Sequence, residues 1–134
     1  MNSKNMFEDF PIISQYTRAD AIRDGVLVDV SETSETRELR FRFPIALTST
    51  VWSQCVEVPE GVHCQDWHGR LWDVLFMMKG AIRSSEAGSS TIYFQLHVRN
   101  DNKPGTPPLV RLKAHCGPGD DAEPVITIMF PDED

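Results

Sequence analysis

Two periods divide the chain. Between residues 71 and 82 apolar side chains recur at helical spacing as Leu71, Leu75, Met78 and Ile82. Trp72, Val74, Phe76 and Ala81 widen that stripe, so the spacing predicts a long and mostly buried helix. From Thr91 onward the period falls to two. Ile92, Phe94, Leu96 and Val98 alternate with Thr91, Tyr93, Gln95, His97 and Arg99, which predicts a strand with one face on a core. A loop over 100–108, rich in Asn, Pro and Gly, leads to a second strand with Val110, Leu112, Ala114 and Cys116 inward and Arg111, Lys113 and His115 outward. A turn over 117–124 then returns the chain into a third strand over 125–130.

Upstream the signals are shorter. Thr17 is placed to cap a helix over 18–23, with Gly25 to stop it. The run 26–30 predicts a short strand joining an edge of the meander. The polar stretch 31–40 carries Glu32, Glu35 and Glu38 at helical spacing and predicts an exposed helical turn or loop. Phe41, Phe43, Pro44, Ile45 and Leu47 return to the core, and Thr48 caps a second helix bearing Val51, Trp52, Cys55 and Val56, ended by Pro59 and Gly61. The expected architecture is one α+β domain over 13–134, a helical N-terminal half packed on an antiparallel three- to four-stranded meander. Residues 1–12 are read as a flexible arm in front of it.

Composition narrows the class. The 134 residues hold 13 Lys plus Arg against 20 Asp plus Glu, a net charge of -7, and 40% of them are apolar. That describes one ordinary globular domain, not a disordered or fibrous chain. The N-terminus lacks the basic start and apolar run of a signal peptide, and the longest apolar run is 74–78, so a soluble, cytoplasmic protein is expected with no membrane partner. Three cysteines cannot all pair, and Cys55, Cys64 and Cys116 are read as thiols.

Four groups of residues carry candidate chemistry. Cys64 and His68 stand four apart and offer half a zinc site that Cys116 would have to complete. His115 is a poor fourth ligand, because neighbours on a strand face opposite ways. The turn containing His115, Cys116, Asp120, Asp121 and Glu123 gathers carboxylates beside a thiol and an imidazole, which suits a hard cation or acid/base work. A Cys-His pair between Cys116 and His63, His68 or His97 is a further catalytic option. Arg99, Arg111 and Lys113, beside Tyr93, His97 and His115, form a cationic face for an anion or nucleic acid, although a pI near 5.0 opposes phosphate attraction. The acidic residues are an alternative binding track that imitates phosphates, and Trp67 is the tryptophan expected at the surface. Phosphate loops, a G-x-S-x-G elbow and an H-E-x-x-H zinc motif are absent from the sequence. No cofactor is expected, zinc being the one alternative.

The runs YTRADAIRDGVLVDV at 16–30, FPIALT at 43–48, GRLWDVL at 69–75 and CGPGDDAEPVITIM at 116–129 resemble a group of small uncharacterised proteins encoded on bacterial plasmids, integrative elements and phages. The resemblance implies a mobile element in a bacterial cytoplasm and transfers no site residue. It implies an accessory protein that binds a host defence nucleoprotein stoichiometrically, of anti-CRISPR or anti-restriction type. The alternatives are a small metal- or cysteine-dependent enzyme and a nucleic-acid-binding regulator.

Overall fold

Thr17 opens the first described element. Its hydroxyl accepts the Asp20 amide at 3.0 Å while the Asp20 carboxylate accepts the Thr17 amide at 3.2 Å, a capping box that starts α1 (Arg18–Arg23). Gly25, at φ +80°, ends it: Val26 N–H reaches Ala21 O and Gly25 N–H reaches Ile22 O. α2 (Ser34–Glu38), capped by Thr33, closes with the same two bonds, from Phe41 N–H to Thr36 O and from Arg40 N–H to Arg37 O. Its left-handed residue is Arg40, at φ +61°, where α1 has glycine.

The computed structural model describes residues 15–86 and 88–134, so the arm read over 1–12 lies outside it. α1 is followed by β1 (Leu27–Asp29), α2, β2 (Ile45–Thr48) and α3, a single turn (Ser49–Val51) capped by Thr48. That turn widens into a π-helical segment over Trp52–Val56, and the long helix α4 (Trp67–Ser84) follows. β3 (Thr91–His97), β4 (Leu109–Pro118) and β5 (Pro124–Met129) complete the chain.

The meander β3-β4-β5 forms in the predicted order, but the sheet is larger than three or four antiparallel strands. Five strands lie in the order β1-β2-β5-β4-β3, and β2 runs parallel to β5 with Ile45 opposite Ile126 and Leu47 opposite Ile128. The N-terminal half is accordingly part sheet and not a helical layer. β2 hides from an alternation reading because Ile45, Ala46 and Leu47 are all fully buried, the burial of a strand covered on both faces. β5 is central for the same reason, with Val125, Ile126, Ile128 and Met129 all buried.

α4 and the π-helical segment cover the inward face. Leu71, Val74, Leu75 and Met78 pack with Val51, Cys55 and Val56 against Phe94, Leu96, Leu112, Ile126 and Ile128. Two side chains depart from expectation. Glu35, read as exposed, is 8% exposed, and Phe76, read as part of the buried stripe, is 54% exposed. Phe76 follows Leu75 and therefore points about 100° further round the helix. Among the described residues no helix is long and apolar enough to cross a membrane.

Candidate functional site

β3 is one of the two edge strands of the described sheet, and the register identifies which of its backbone groups face away from β4. Cys116 N–H donates to Ser90 O at 2.8 Å and Val98 N–H donates to Pro108 O at 3.0 Å, one bond at each end of the β3–β4 ladder. Hydrogen-bonded pairs alternate along an antiparallel ladder, so Ile92, Phe94 and Leu96 turn their amides and carbonyls to β4. Thr91, Tyr93, Gln95 and His97 turn theirs away, and among the described residues no strand meets them. The strand TIYFQLH has no Pro, Gly or Lys and pairs without a bulge, so it lacks the devices that blunt an edge.

Apolar side chains flank that edge. Phe76 and Met77 on α4, with Tyr93 and Leu109 on the outward face, are half of the large hydrophobic residues exposed in the described chain. Two adjoining grooves of about 730 and 390 Å³ share Phe76, Met77 and Gln95. Gly80, Ala81 and Ser84 keep the helix side of the larger groove low. On the outward face Arg111 stacks over the Tyr93 ring at 4.4 Å. No carboxylate stands among the outward side chains of β3 and β4, which are Thr, Tyr, Gln and His on one strand and Leu, Arg, Lys and His on the other.

The other predicted cations are held by their own chain. Lys113 Nζ donates to Pro131 O at 3.0 Å, and the Arg99 guanidinium donates to the carbonyls of Lys103 and Gly105, bracing the hairpin loop. His115 Nδ1 lies 3.2 Å from Thr91 Oγ1 and His97 Nδ1 lies 2.8 Å from Pro107 O.

The acidic turn is also engaged in structure. Asp120 accepts the Arg18 and Ala19 amides at 2.8 and 3.0 Å, capping α1 across 102 and 101 residues of sequence. Glu123 accepts the Asp121 amide at 2.9 Å, closing the turn on itself, and Asp121 is exposed. Arg18 follows the cap inward. Its guanidinium donates to Thr127 Oγ1 and Ile126 O, and burial lowers its pKa.

Cys64 and His68 lie at the start of α4, whereas Cys116 faces a cavity shared with Lys79, Ile82 and Arg83 near the end of that helix. About 15 residues of helix, roughly 22 Å, separate those regions, so Cys64, His68 and Cys116 do not form the zinc set considered above. Among the described residues no three His, Cys, Asp or Glu side chains are placed to hold a metal ion. Nor, among them, does a hydrogen bond join a cysteine thiol to a histidine ring. His68 instead places Nδ1 3.2 Å from Glu35 Oε2 and stacks on Trp67, with ring centroids 3.7 Å apart.

Arg70 is the polar residue that sequence reasoning missed. It is 6% exposed, and its five N–H groups are all used: Nε to Val56 O, Nη1 to Gln65 Oε1 and Arg99 O, Nη2 to Gln54 O and Asn100 Oδ1. It ties the π-helical segment, the loop before α4 and the end of β3 together. Burial lowers the Arg70 pKa and raises that of Asp73 nearby. The available signal was positional, since Arg70 shares its helix face with Val74 and Met78.

Nothing matches the chain among curated proteins, and nothing matches among solved structures. The family model described as "Family of unknown function (DUF6573)" matches residues 1–134, and the chain belongs to that family.

Proposed function

We propose that this protein is a non-enzymatic binding protein that takes an extended strand of a partner protein onto the edge of β3. One observation carries the reading: a seven-residue edge with no protective device among the described residues, flanked by exposed Phe76, Met77, Tyr93 and Leu109. An incoming strand satisfies the outward-turned amides and carbonyls of Thr91, Tyr93, Gln95 and His97, and its alternate side chains face two environments. Those on the α4 side meet Phe76 and Met77 and are apolar. Those on the outward side meet Arg111 and His97 and are acidic or neutral. The resemblance to proteins of mobile elements supports a subunit of a host defence nucleoprotein as the partner, and the bacterial cytoplasm as their meeting place.

Gln95→Pro separates this surface from the fold. The Gln95 amide faces away from β4, so proline there removes a donor from the edge and none from the ladder. The test is a paired pull-down with tagged wild-type and Gln95→Pro chains from a bacterium carrying CRISPR and restriction systems. The reading expects a near-stoichiometric defence subunit on the wild type that is lost from the folded variant. Equal retention by both, no defence subunit on either, or a wild type that pairs only with itself through this edge overturns it.

A further inference from the structure

The cavity into which Cys116 points has a volume of about 530 Å³, within the range of small-molecule sites. Its floor is the apolar underside of the sheet and helix: Phe41, Ile82, Ile92, Ala114 and Ile126. Its rim carries four cations, Arg40, Arg42, Lys79 and Arg83, against one carboxylate, Glu86. In a chain of net charge -7 that local excess runs against the composition. Among the described residues none of the four lies within 4 Å of a carboxylate. Lys79 is positioned from both sides, donating to Leu39 O and standing 5.9 Å from the Phe41 ring centroid.

A second, independent observation concerns Arg40. α1 and α2 end in the same hydrogen-bonded motif, with Gly25 in one and Arg40 in the other at the left-handed position. Glycine relieves strain there, and the chain holds arginine instead, with its side chain on the cavity rim. Cys64 and Ala122 also lie at positive φ, but of the three only Arg40 lines this cavity, so its strain and the cation excess point the same way.

From these two features we infer that the cavity binds one small amphiphilic anion, an acyl or aryl body with a terminal carboxylate or phosphate. The apolar floor takes the body. The neutral polar side chains of the lining are two hydroxyls, Ser85, which donates to Ile82 O, and Ser89, too few to read a base or a sugar, and the guanidinium groups of the rim take the anionic head by charge-assisted hydrogen bonds. The site lies on the inward side of the sheet, and its occupancy is independent of strand addition at β3, so Gln95→Pro leaves it unchanged.

Cys116 supplies a built-in positional reporter. The wild-type chain is treated with iodoacetamide in the presence of decanoate, decyl phosphate or decanol, and alkylation is followed by peptide mass mapping, with exposed Cys64 as the internal control. Saturable protection of Cys116 but not Cys64 by the two anions, and much weaker protection by decanol, is the expected result. The double variant Arg42→Glu/Arg83→Glu, both positions exposed, raises the protecting concentration on the order of tenfold or more while the circular dichroism spectrum is retained. Arg40→Gly weakens protection and raises the melting temperature together. The inference is overturned if neither anion protects Cys116, if decanol protects as well as decanoate, or if charge reversal leaves protection unchanged. Protection by phosphatidylglycerol vesicles without protection by decyl phosphate also overturns it, since the site would then read a membrane surface.

Discussion

Replacing Arg40 with glycine gives a stability change whose sign is opposite to that of most substitutions. Arg40 sits at φ +61° in the position that Gly25 fills at φ +80° in the equivalent motif of α1. An L-residue in the left-handed region costs about 1–2 kcal/mol, and a glycine loses about 0.5–1 kcal/mol more entropy on folding. The difference leaves Arg40→Gly more stable by ~0.5–1 kcal/mol, a rise of roughly 2–4 °C in melting temperature for a domain of this size. Gly25→Ala is the mirror experiment. A Cβ added at Gly25 meets nothing within 4 Å, so the loss of ~1 kcal/mol expected there reports backbone conformation and not crowding. Both are read by thermal unfolding at physiological ionic strength. An Arg40→Gly protein that melts at or below the wild-type temperature refutes the strain argument.

Three further substitutions or titrations follow from the contacts. Arg70→Lys has three donors for five acceptors and is expected to lose about 2–4 kcal/mol in denaturant unfolding; a loss under 0.5 kcal/mol would show that water replaces those bonds. Asp120→Ala removes both remote caps of α1 and costs about 1–2 kcal/mol, while Asp121→Ala is near neutral; equal effects would contradict the capping assignment. Burial pushes the Cys55 thiol from 9.0 up to about 11. Between those values the unfolded chain releases a proton that the native state retains, so stability falls as pH rises from 9 to 11, and Cys55→Ala flattens that slope in pH-dependent unfolding.

Elements that signal through local chemistry were legible in the sequence. The caps Thr17, Gly25 and Thr48 fall at the ends they predict, and β3 and β4 follow from strict alternation, with β5 placed by the turn before it. What stayed hidden was set by neighbours distant in sequence. β2 became an inner strand because β5 lies parallel beside it, a pairing that no property of Ile45, Ala46, Leu47 and Thr48 announces. Asp120 looked like a ligand because its partners are the Arg18 and Ala19 amides, more than 100 residues away. Phe76 read as part of the buried stripe, and only the position of α4 beside the sheet edge leaves it exposed. The cavity cations come from the end of α2, the segment after it and α4, so no local run of charge announces them.

The central claim is an open β3 edge, and residue-resolved amide hydrogen exchange by NMR on the free, full-length chain tests it most directly. The account predicts slow exchange at Ile92, Phe94 and Leu96, which bond to β4, and fast exchange at Thr91, Tyr93, Gln95 and His97, which face outward. Slow exchange at the outward-facing set in the monomer would mean that the edge is already covered, and would contradict strand addition as the mode of binding.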